Sequence, residues 1–98
     1  MNQETLEQEQ LRLAKLGIEA ESFKSSAVGK YLESKADELI AVQTQKLILC
    51  DPSDYECNVN ARNGIQIGAL FKQWIDDAIQ EGLVAREDIR LSEDESLS

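Results

Sequence analysis

The chain has 98 residues, 42% hydrophobic and 30% charged, with 10 Lys plus Arg against 19 Asp plus Glu and a formal charge of −9. That length supports one modest core, and the acidic balance is repelled by phosphate backbones, which argues against direct nucleic-acid binding unless the chain imitates DNA. No apolar run approaches the roughly 18 residues of a membrane span, and the polar start "MNQETLEQEQLR" is the reverse of a signal peptide, so a cytosolic chain with reduced cysteines is expected.

The first element is a short helix over about residues 4–16, with Leu6, Leu13 and Leu16 on one side and Gly17 suited to the position just past its end. A connector, "EAESFKSS", follows, with Phe23 as its anchor. Ser26 is a favoured cap for a second helix over 26–50. There Leu32, Ala36, Leu39/Ile40, Gln43, Leu47 and Cys50 recur at steps of three or four, the spacing of one helix face.

The stretch "CDPSD" then combines two punctuation signals. Residues before proline resist helical geometry, so the second helix stops near Cys50. Asp51 as N-cap, Pro52 at the first helical position and Asp54 near the positive helix end start a third. This helix is expected over 52–81, closing at Gly82, with an apolar series Val59, Asn63, Ile67, Leu70, Trp74, Ala78 and a second row Phe71, Ile75, Ile79 beside it. One rival reading is a β-hairpin around Asn63-Gly64, because "NVNARNGIQI" alternates apolar and polar residues. No third strand is available to support it, so continuous or kinked helix is preferred. After Gly82, "LVAREDIRL" is read as a short helical turn, and the acidic, serine-rich segment 92–98 as a disordered tail.

Little in this pattern resembles catalytic machinery. The absence of histidine removes the imidazole base and the usual triads. Two cysteines fall short of the four ligands of a structural zinc site. Cys50 and Cys57 are geometrically able to bridge, but a cytosolic setting favours free thiols near a hairpin tip. "AVGKYL" lacks the glycine and the Ser/Thr of a phosphate loop. The adjacent Asp76 and Asp77 diverge by about 100° on a helix. No enzyme activity and no cofactor are therefore expected.

The order "FKSSAVGKYLESKA", "DPSD", "ALFKQWIDDAIQEG" resembles a group of small, acidic, helical proteins of unknown function encoded in tailed-bacteriophage genomes. The resemblance spans about Gly17 to Gly82, with Cys50, Cys57 and the two mid-helix glycines as departures or tolerated variations. It implies a phage setting, in the host cytoplasm or associated with the virion, admits virion assembly as a role, and brings no catalytic residues.

The expectation is an all-α domain over residues 1–91: a long antiparallel, coiled-coil-like hairpin with an N-terminal helix packed beside it. Its partner would be another copy or another phage or host protein, met through Leu70, Phe71, Trp74, Ile75 and Ile79. The rival function is an acidic inhibitor or DNA mimic that occupies the basic site of a host enzyme.

Overall fold

A computed structural model describes residues 3–97. It is all-α, with α1 over Gln3–Ser25, α2 over Ala27–Leu49 and α3 over Tyr55–Leu97. The chain divides into two compact units. One comprises residues 1–25 and 75–98, pairing α1 with the C-terminal part of α3; the other comprises residues 26–74, pairing α2 with the N-terminal part. No described helix is long and apolar enough to cross a membrane.

In the unit formed by residues 26–74 the hairpin is antiparallel. Cys50 meets Cys57, Gly64 lies against Gln43, Gly68 against Ile40 and Ala36, and Lys72 pairs with Asp37. The contact seam on α3 runs Cys57, Ala61, Gly64, Gly68, Phe71, in steps of four, three, four and three. That is the spacing that keeps one stripe of a helix facing a neighbour. Ala61 is only 2% exposed, and Ala36 on α2 is also buried. Most of the second-helix face read from the sequence packs here, with Ala36 buried and Leu39, Ile40, Gln43, Leu47 and Cys50 half-buried, whereas Leu32 is exposed.

In the unit formed by residues 1–25 and 75–98, α1 and α3 also run antiparallel. Gly17 and Gly82 meet backbone to backbone: a β-carbon added to Gly82 would sit 2.6 Å from the Gly17 Cα, and one added to Gly17 would sit 3.1 Å from the Ala78 carbonyl oxygen. Ala14 and Ala85 are buried in the same seam, and on α3 the stripe Ala78, Gly82, Ala85, Ile89 keeps the four-three-four rhythm. Lys24 on α1 reaches Asp76 on α3 at 2.7 Å. Because both groups are largely exposed, that pair contributes under about 1 kcal/mol. The close approach of small residues, and the dispersion contact it permits, does more.

Several boundaries move. Gly17 and Gly82 do not end helices: both are interior, and no described glycine has the positive φ that a C-terminal glycine cap adopts. The first helix therefore continues from the expected stop near residue 16 to Ser25, absorbing the connector. The third continues through 82–97, so the tail expected to be disordered over 92–98 is helical to Leu97, and Ser98 lies outside the described residues. Arg90 explains part of this, binding Glu87 one turn before it and Asp94 one turn after it. The N-terminal helix packs along the C-terminal part of α3, where Gly17 meets Gly82. Residues 57–68 are helical, so the hairpin reading of "NVNARNGIQI" does not hold.

Ser26 caps α2 as its sequence indicates, its Oγ accepting from the Gly29 N–H at 3.0 Å. At the next junction the roles shift by three residues. Asp51 and Pro52 open a turn closed by the Asp54 N–H donating to the Asp51 carbonyl at 2.9 Å, with Pro52 in the position where its fixed φ is favoured. The N-cap of α3 is Asp54, whose carboxylate accepts from the Cys57 N–H at 3.1 Å, and the helix starts at Tyr55. The Asp51 side chain is already engaged, accepting from the Ser53 N–H and hydroxyl, which hold its carboxyl below the usual range. A carboxyl depressed in this way supports the fold above its unfolded-state value and loses that contribution as pH falls through the folded one. Asp54→Ala is expected to destabilise the 26–74 unit by about 1 kcal/mol in denaturant unfolding, the usual loss for a helix cap.

Candidate functional site

The seam just described determines which side chains of α3 remain outside. Glycine and alanine occupy the contact line, so most of the large apolar residues are displaced to its flank. Ile67, Leu70 and Trp74 follow one another at three and four residues on α3 and are 63%, 40% and 64% exposed. At about 100° per residue they lie roughly 80–140° around the helix from the seam.

The five residues expected to form an interface thus separate. Leu70 and Trp74 point outward. Phe71 and Ile75 lie on the half-buried seam line, and Ile79 is half-buried in a shallow recess with Ile18, Lys24 and Asp76. Ile67, which belongs to the same apolar series, joins Leu70 and Trp74 on the exposed row.

Charge sharpens this surface. None of the 19 acidic residues falls between Cys57 and Ile75, and the only charges there are Arg62 and Lys72. Lys72 is engaged by Asp37 of α2. The exposed row therefore sits on a carboxylate-free stretch of an otherwise acidic chain.

The hairpin tip is the second distinctive surface. Cys50 and Cys57 are joined in a disulfide, with Cα atoms 6.0 Å apart, inside the range that a bridge spans. The expectation of free thiols is corrected: the turn that ends α2 and starts α3 brings the two cysteines together. Asn58 ties the loop further, its Nδ2 donating to the carbonyls of Asp51 and Asp54 at 2.9 and 2.7 Å. Around this brace Ile48, Leu49 and Tyr55 are largely exposed. Asp51, Pro52 and Asp54, read from the sequence as a helix-turn device, do form the corner.

A third surface was not read from the sequence. In the unit of residues 1–25 and 75–98, Leu6 and Leu13 of α1 and Val84 and Ala85 of α3 floor a groove of about 420 Å³. Their spacing was readable, but ending the third helix at Gly82 removed one wall. No family model, curated protein or solved structure matches this chain.

Proposed function

We propose that the protein is a non-enzymatic interaction and assembly protein that associates with a second copy of itself through the exposed α3 row. The observation that carries this reading is the combination of Ile67, Leu70 and Trp74 at helical spacing with a surrounding stretch free of carboxylates. Two chains of formal charge −9 repel one another over most of their surface. The row combines exposed apolar side chains with a stretch of chain that carries no carboxylate. A tryptophan beside aliphatic neighbours is also the composition of an interface centre. The phage resemblance supplies a setting, in which a small helical protein acts as a part of a larger assembly. The rival DNA-mimic reading requires spaced carboxylates on its contact face, and the stretch from Cys57 to Ile75 that bears this row has none.

Sedimentation of the purified chain tests the proposal. The wild type is expected to sediment as more than one copy, with little change on raising the salt concentration. Trp74→Glu and Ile67→Glu are expected to weaken association at least about tenfold, equivalent to about 1.4 kcal/mol, while leaving the helical circular dichroism intact because both side chains are already exposed. A wild-type chain that stays single at high concentration overturns the proposal, as does association that collapses with salt.

A further inference from the structure

From the groove between α1 and α3, in the unit of residues 1–25 and 75–98, we infer a docking site for a basic amphipathic helix of another protein. The floor is almost wholly apolar. Leu6 is 48% and Val84 61% exposed, Leu13 is half-buried, and Ala85 closes the base at 3% exposure. Leu6 and Leu13 are two helical turns apart, roughly 10 Å, which matches about two turns of an incoming helix presenting apolar residues at steps of three and four.

The rim selects the sign of the partner. Glu9, Glu81 and Asp88 line the groove. Arg12 binds Glu9, at 3.1 Å through its Nε, and also lies within the field of Glu81. The three lining carboxylates together with the Arg12 guanidinium beside Glu9 and Glu81 sum to a formal charge of −2. An apolar floor inside an acidic rim complements a helix whose apolar stripe is flanked by Lys or Arg. A second copy of this chain is a poor occupant, because its formal charge is −9. The groove is thus separate from the α3 row in both the residues it uses and the partner it takes.

The test is a calorimetric titration of the full chain with a synthetic amphipathic helix of leucine and lysine, against the same peptide with glutamate in place of lysine. The leucine–lysine peptide is expected to bind one per chain, and the leucine–glutamate peptide to bind at least about a hundredfold more weakly. Val84→Asp is the decisive variant. It adds negative charge, which strengthens general attraction for a cationic peptide, yet it is expected to weaken binding at least about tenfold because it places a carboxylate in the apolar floor. Leu6→Asp, on the opposite wall, should do the same, which guards against misfolding of either variant alone. Val42→Asp, at an exposed position of α2 outside both the groove and the α3 row, adds the same charge elsewhere and should leave the affinity within about twofold of wild type. Equal affinity for both peptides, Val84→Asp and Leu6→Asp binding as tightly as wild type, or an equal loss with Val42→Asp overturns the inference.

Discussion

Gly82→Ala is expected to destabilise the unit of residues 1–25 and 75–98 by about 1–3 kcal/mol, the cost of forcing a methyl group into a filled contact. The substitution looks benign from the sequence, since alanine is favoured over glycine in a helix interior by about 1 kcal/mol. The structure reverses that expectation. The new β-carbon meets the Gly17 Cα at 2.6 Å, the Leu13 carbonyl oxygen at 3.0 Å and the Gly17 nitrogen at 3.1 Å. All three are backbone atoms, so no side-chain rotation relieves the contact. α1 and α3 must move apart by about 1 Å to restore an ordinary carbon–carbon distance of 3.5–4.0 Å. That separation loosens Ala14 and Ala85 as well, because the same close approach buries them.

Gly64→Ala is the matched control. The added β-carbon meets only the side chain of Gln43, with Cγ at 2.5 Å, and a half-buried glutamine can swing aside. The helix-propensity gain of about 1 kcal/mol then largely survives the adjustment, so this variant should be near neutral or slightly stabilising. Hydrogen exchange, read by segment, distinguishes the two sites. Gly82→Ala should raise exchange in α1 and in α3 beyond residue 75, whereas Gly64→Ala should leave the α2 segment as protected as in the wild type. Equal losses at both positions would show that the close glycine contact is not what holds α1 to α3.

These glycines also show where the sequence was legible and where it misled. Helical class, the Ser26 cap, most of the packing face of α2 and the existence of a corner at Asp51–Asp54 could be read, because each depends on local chemistry or simple periodicity. The cap expected at Asp51, however, falls at Asp54. On α3 two apolar rows are legible in the sequence, but they put Leu70, Phe71, Trp74, Ile75 and Ile79 together in one interface, without separating the packed line from the exposed one. The contact line belongs largely to small residues at 61, 64, 68, 78, 82 and 85. In a seam where backbones approach closely, the smallest side chains are selected for the centre and the larger ones lie to the side. Gly17 and Gly82 read as terminators, since a glycine after an apolar run carries the same local pattern whether it ends a helix or admits a neighbour. What distinguishes the cases is the alanine a turn away, at 14, 78 and 85. The exposed row was therefore visible as residues but not as a surface, and the groove floored by Leu6 and Val84 was not visible at all.

Reduction of the Cys50–Cys57 bridge is expected to lower the stability of the 26–74 unit by about 2 kcal/mol. The cysteines are separated by seven residues in sequence, and closing so short a loop removes about that much conformational freedom from the unfolded chain. For a unit of this size the loss corresponds to a fall in melting temperature of about 20 °C. Asp51, Pro52 and Asp54 continue to shape the turn without the bridge, so the reduced chain should still fold. Its α2–α3 junction should open first, because the exposed loop is otherwise held by the Asp51, Asp54 and Asn58 hydrogen bonds. Thermal melts with and without a reductant, alongside a Cys50→Ser/Cys57→Ser variant insensitive to reductant, measure the effect directly. If the oxidised chain, the reduced chain and the double variant melt together, the capped turn alone sets the stability of the corner. If the oxidised chain melts about 20 °C above the other two, then the protein is at full stability only where disulfides persist, and in a reducing cytosol the tip bearing Ile48, Leu49 and Tyr55 is the part of the hairpin that loosens.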